Sequence, residues 1–280
     1  MPHMISFVDD ALQSAHYEFV LLLKDFAVAN GWTVLRYDTS TADHELILKG
    51  VGLSGLEEIF VGWKTKQNAD ADYYNIVAGV FTGYVPGNTF ETQPLGAYSA
   101  FCAHNQRIDF WLTLNAQRIT FVLKLGTPVY EACYVGKFLP YARPSQYPYP
   151  VTCAGTLGPD STLRFSDIST KHAMPYTGGN ARMMTRHTSG WSFYSAWPWS
   201  GTAITGPTYN SRDTEGERAL SPIILHSTAN LWGELDGIFH VSGFNIVVED
   251  TFVVGGVTHV AIQDVFRTGF SDYFALRLDA

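Results

Sequence analysis

Several stretches of this 280-residue chain begin like chemical motifs and lack the residue that would complete them. "GTAITGPT" (201–208) has two glycines at phosphate-loop spacing, but Pro207 stands where a lysine must reach the phosphates. Proline offers neither charge nor a backbone N–H there, so a nucleotide cradle is not expected. "GWSFY" (190–194) starts like a nucleophile elbow, yet Tyr194 replaces the glycine of the sharp turn. "GVGLSG" (50–55) is glycine-rich but precedes no long helix, as a dinucleotide fingerprint would require.

Titratable residues point the same way. None of the nine histidines forms an HExxH motif or a zinc-module spacing. His226, His240 and His259 lie in successive predicted strands and could converge on one face, although core or edge histidines with hydrogen-bond partners are the expectation. The carboxylate pairs Asp9/Asp10, Glu57/Glu58 and Glu249/Asp250 are sequence neighbours. Neighbours in a strand point to opposite faces, which is wrong for a shared acid–base site. Cys102, Cys133 and Cys153 form no CxxC pair and leave one over, so buried free thiols are expected. The reading is a protein without catalytic residues, cofactor or metal.

Composition narrows the class further. Charged residues make up 16% of the chain against roughly 25% in ordinary soluble domains, while aromatics reach 14%. So little charge beside so much aromatic area predicts surface buried against other subunits. The net charge of −8, with no run of three Lys or Arg, argues against nucleic acid. "MPHMISFVDDALQ" lacks the pattern of a secretory leader, and "FVLLL" (19–23) is far too short to span a bilayer. A soluble chain made in a cytoplasm is expected.

The elements that would position all this are mainly strands. Residues 9–30 predict one helix, capped by Asp9 or Asp10, with Leu12, Ala15, Phe19, Leu22, Leu23, Phe26 and Ala27 as its apolar stripe. Strand patterns follow at 32–38, 44–51, 57–66 and 73–85, and again at 108–115, 118–126 and 130–139, with a tight hairpin at Asn115-Ala116. "SAFCAHN" (99–105) reads as a helical turn. Strands return after 220, with Gly255-Gly256 as a hairpin turn. The expected fold is α+β, mainly β, with the N-terminal helix packed on antiparallel sheet. Its expected parts are 1–139, a loop-rich Pro/Gly/aromatic insertion or arm at 140–222, and C-terminal strands at 223–280 completing the sheet, all compatible with one domain.

Two aromatic tapes stand out. "FLPYARPSQYPYP" (138–150) holds four prolines, so it cannot be helix or an interior strand. It reads as a stiff strap with Phe138, Tyr141, Arg143, Tyr147 and Tyr149 as contact residues. "GWSFYSAWPWSG" (190–201) carries Trp191, Phe193, Trp197 and Trp199, which would share one face of an extended chain. Such residues dominate protein–protein hot spots. They also stack on sugar rings, so a carbohydrate-binding module is the alternative, with a polymer hydrolase third.

The order "RITFVLKLGTPVYEACYVGKFLPYARPSQYPYPVTCAG" (118–155), "LRFSD" (163–167), "PYTGGNARMMTRHTSGW" (175–191) and "FRTGFSDYFALRLD" (266–279) resembles virion structural proteins of tailed bacteriophages. "VLLLKDFAVANGWTVLRYD" followed by "ELILKGVGLSGLEEIFVGW" is similar to the same group. The resemblance implies a non-enzymatic particle component of the tail or baseplate, made in the host cytoplasm. Its implied partners are other tail proteins and copies of itself, with no nucleic acid or membrane, and extended arms lying across neighbouring subunits. A tail-tip receptor module that binds a surface glycan is the variant of that reading.

Overall fold

A computed structural model describes residues 2–126, 129–141, 150–173, 182–187 (backbone alone), 190–199, 218–227 and 230–278. The chain begins with an edge strand, β1 (His3–Val8), and then helix α1 (Ala15–Ala29). The helix starts after Ser14, not at Asp9 or Asp10. Residues to Val8 are committed to the strand, and the Asp9 carboxylate accepts from Ala11 N–H at 3.1 Å inside the connecting turn. Ala15, Phe19, Val20, Leu23 and Ala27 form the buried stripe, whereas Leu12 lies before the helix and is 89% exposed.

Five strands then form an antiparallel meander in chain order: β2 (Thr33–Asp38), β3 (Glu45–Gly50), β4 (Ile59–Asn68), β5 (Tyr73–Phe81) and β6 (Ala97–Cys102). "SAFCAHN" is thus largely strand and not a helical turn, because Ala100 pairs with Val77 on one side and bridges Leu157 on the other.

The middle sheet has seven strands. It adds β7 (Ile108–Leu114), β8 (Arg118–Gly126) and β9 (Val129–Lys137), followed after β10 (Leu139–Pro140) by β11 (Val151–Gly155), β12 (Arg182–His187) and β13 (Gly190–Phe193). Its order is β1-β7-β8-β9-β11-β12-β13. Residues 140–222, expected as an insertion or arm, therefore contribute the interior strand β11.

The last sheet contains β14 (Ser195–Trp197), β15 (Leu220–His226), β16 (Leu231–Val241), β17 (Thr251–Val254), β18 (Val257–Gln263) and β19 (Tyr273–Arg277), in the order β14-β15-β16-β19-β18-β17, with β10 added beside β16. The C-terminal strands thus form a separate sheet; they do not complete the first one. Gly255 and Gly256, at φ 59° and 80°, make the two-residue turn between β17 and β18 that a side chain would strain.

The middle sheet is covered on both faces, which explains why "RITFVLKL" and "YEACYV" read as almost unbroken apolar runs. On one face Phe110 and Phe121 meet Phe19 of α1, at ring separations of 5.3 and 4.9 Å, and Phe101 of β6 packs 5.1 Å from Phe121. On the other face Arg118, Tyr130 and Tyr134 meet the C-terminal sheet and its loops. The fold is α+β and mainly β, with one helix against antiparallel sheets. No helix among the described residues is long and apolar enough to cross a membrane.

Candidate functional site

The strap is anchored at both described ends: Phe138 N–H donates to the carbonyl of buried Pro150 at 3.0 Å. Phe138 is fully buried, and its ring occupies the space beside Gly233, where a Cβ would lie 2.7 Å from the ring. Phe138 is therefore a residue of the chain's own core and not the contact for another subunit that its place in the strap suggests. Leu139 and Pro140 pair with Glu234 and Gly233, an arrangement that β16 tolerates because the proline sits at a short end strand. Tyr141 is 51% exposed; its backbone N–H donates to Trp232 O at 3.0 Å and its hydroxyl to Glu234 Oε2 at 3.1 Å. Partial burial, then the Glu234 bond, pushes its phenol up to about 12. Arg143, Tyr147 and Tyr149 lie outside the described residues.

The second tape does not present one face. It leaves the middle sheet at Phe193 and joins the C-terminal sheet at Ser195, so the alternation restarts at the crossing. Trp191 donates its indole N–H to Leu95 O at 2.7 Å, and Trp199 donates to Ser271 O at 2.8 Å while lying edge-on to His240. Trp197 is half-buried beside fully buried Ala196. Phe193 is 58% exposed. Residues 200 and 201 lie outside the described residues.

The histidines do not converge. The ring of Phe239 meets His259, and His240 is its neighbour in β16, so His240 and His259 occupy opposite faces of the sheet. No group of three His, Cys, Asp or Glu residues suited to a metal occurs among the described residues. The three cysteines are free and buried, and burial pushes the Cys153 thiol up to about 12.

Sequence reading missed three buried polar arrangements, each assembled from distant segments. The first joins the middle and C-terminal sheets. Arg118 is fully buried, donates to Thr113 Oγ1 at 2.7 Å and lies 3.5 Å from the Asp236 carboxylate. Asn115 and Gln117 donate to the same carboxylate at 2.7 and 3.2 Å. Burial pulls the guanidinium down from its ordinary value and Asp236 opposes that. The second is Asp264, which accepts from Ala173 N–H at 2.6 Å and Arg267 at 3.2 Å and pairs with His172 Nδ1 at 2.6 Å. A carboxylate that orients an imidazole can serve catalysis. Here Arg267 also donates to Lys171 O and to Ser169 O, the latter at 3.0 Å, so the cluster fastens 169–173 to the loop after β18. The third is Glu131, wholly buried on the opposite face, where the Thr156 hydroxyl donates to it and burial pushes its carboxyl up to about 8.

The outer surface carries the opposite signature. Ile5 and Phe7 of β1 are 51% and 47% exposed on a sheet edge that no described residue pairs. Val253 on the edge strand β17 is 64% exposed, and Leu12 and Leu56 stand almost fully in solvent. A cleft of about 490 Å³ lies near β1, lined by His104, Arg107, Asp109 and Lys124. Arg107 pairs with Asp109 inside it, and Lys124 pairs with Glu249 outside its lining. The apolar edges are therefore the best-defined candidate site. Comparison of the chain with protein-family models and with curated protein sequences finds no match.

Proposed function

We propose that the protein is a non-enzymatic structural component of a bacteriophage virion, in the tail or baseplate, that works by subunit–subunit assembly. The setting comes from the resemblance of its motif succession. The observation that carries the assembly role is the open edge of β1, where two large apolar side chains face solvent with no charge on the strand. Natural edge strands are ordinarily blunted by lysine, proline or a bulge, because a bare edge recruits another strand. Stiff, aromatic-bearing segments such as 138–150 suit the same work, since they lose little conformational entropy on docking. The partners are copies of the chain and other tail proteins, with no nucleic acid, membrane or cofactor.

The carbohydrate-binding alternative draws less support. Trp191 and Trp199 each spend the indole N–H on a carbonyl of their own chain, and the aromatic tape divides between two sheets.

Quantitative mass spectrometry and labelled electron microscopy of purified particles test the proposal. The chain is expected at a fixed copy number per particle and at one location in the tail. Its absence from purified particles overturns the reading.

A further inference from the structure

The open edge of β1 specifies its occupant more closely than exposure alone does. Leu114 N–H donates to Pro2 O at 3.1 Å, so Pro2 and Leu114 form a hydrogen-bonded opposition at the start of the β1–β7 ladder. In an antiparallel pair, such oppositions alternate with non-bonded ones. Met4, Ser6 and Val8, opposite Leu112, Phe110 and Ile108, therefore turn their backbone groups toward β7. His3, Ile5 and Phe7 turn theirs outward. The edge offers three consecutive donor–acceptor sites, flanked by the exposed side chains of Ile5 and Phe7.

Resting on the assembly reading above, we infer that β1 pairs antiparallel with β1 of a second copy about a two-fold axis at Ile5. In this register Ile5 opposes Ile5 of the second copy and His3 opposes Phe7, so every outward backbone group is used, for about six hydrogen bonds. A register shifted to Ser6 would leave His3 unpaired within the strand. "HMISFV" carries no Lys, Arg, Asp or Glu, and the Arg107 guanidinium that lies 4.2 Å from the Phe7 ring is already paired with Asp109, so self-pairing brings no unpaired like charges into opposition. A self-complementary patch is what a two-fold interface requires.

Strand pairing alone covers less than the roughly 800 Å² per partner of a stable interface. The flanks supply more. Leu12, 89% exposed, follows one end of β1. Leu53 and Leu56, 65% and 90% exposed, lie in a loop held by Gly52 N–H to Ala116 O at 2.8 Å, beside the hairpin at the Pro2 end. Antiparallel pairing sets the Leu12 end of one copy next to the Leu53 and Leu56 end of the other. The two seven-stranded middle sheets would then run as one sheet across the pair.

Sedimentation velocity of the full chain over a concentration series is expected to show a monomer–dimer equilibrium. Ile5→Lys is expected to weaken it at least tenfold, and Ile5→Pro, which removes one outward N–H and spares the ladder to β7, to weaken it also. Val253→Lys, on the distant edge, should leave it unchanged. Mild oxidation of Ile5→Cys should give a covalent dimer, since opposed Cα atoms about 5.5 Å apart fall within disulfide reach. Ser6→Cys, opposite Met4 of the second copy, should not, and the three native thiols are buried. A chain that stays monomeric throughout, a dimer that survives Ile5→Lys, or a different protein's strand on β1 in particles overturns the inference. A β1 dimer from a chain that is absent from particles leaves the inference standing and removes the virion reading. A chain present in particles with β1 uncovered does the reverse.

Discussion

Arg118 and Ile5 lie two strands apart in the middle sheet, and each stands where the other's chemistry would be at home. Arg118 is a full charge that water does not reach, while Ile5 is an aliphatic side chain 51% open to water. The buried charge is answered within the chain, by Asp236, Thr113 and the amides that converge on Asp236. Along the exposed edge the Arg107 guanidinium lies 4.2 Å from the Phe7 ring, but no described residue pairs the outward backbone of β1. Burial inverted on the inside fixes how two sheets of one chain register, whereas burial inverted on the outside calls for another molecule.

Removing the internal answer should cost the most. Asp236→Ala leaves the Arg118 guanidinium buried without its carboxylate and is expected to cost about 3–5 kcal/mol, read by urea unfolding. Replacing both partners, Arg118→Met with Asp236→Leu, should recover most of that loss, because the charge that demanded a partner is gone. If Asp236→Ala costs less than about 1 kcal/mol, water reaches Arg118 and the contrast with Ile5 dissolves.

A second inversion sharpens it on the other face. Glu131 is wholly buried with its carboxyl raised from 4.5 to about 8. Between these values the unfolded chain releases the proton while the folded chain keeps it, so stability at this site falls as pH rises through that window and levels off above about 8. Glu131→Gln abolishes the titration and can keep the bond to Thr156. The variant should match the parent near pH 4.5 and exceed it by a few kcal/mol near pH 8. Parallel stability–pH curves for the two proteins would place Glu131 in contact with solvent or with a cation.

What the sequence made legible follows from the range of each interaction. Strands β2 to β5 of the meander, the hairpins at Asn115 and Gly255, and the helical stripe from Ala15 to Ala27 rest on contacts within a few residues, and alternation records those directly. The helix start was misjudged because two adjacent acids look like a cap, while the turn that consumes them depends on β1 pairing with β7, about a hundred residues on. Strand β11 was hidden because "VTCAG" follows a proline tape and contains little β-branched apolar content, although its two neighbours in the sheet define it. The lone acid in "YEACYV" was the available signal for Glu131. Nothing local could announce Asp236 or Asp264, whose partners are separated from them by 118 and 92 residues respectively. Of the aromatic tapes, composition indicated stiffness but not direction: Phe138 turns inward and Tyr141 outward within four residues.

The smallest expected effect is the most discriminating. Measured at dilution well below any self-association, Ile5→Lys should change the stability of the monomer by no more than about 0.5 kcal/mol, because a half-exposed edge residue makes few contacts with its own chain. Leu112, buried on the adjacent β7 opposite Met4, supplies the contrast, since Leu112→Ala should cost about 2–5 kcal/mol. Dilution matters because a dimer stabilises its folded subunits by mass action, so at high concentration Ile5→Lys should appear more damaging than it is to the monomer. The difference between the two conditions then measures what the second copy contributes. A cost near that of Leu112→Ala in dilute solution would make Ile5 part of the chain's own core, and the edge would no longer call for a partner.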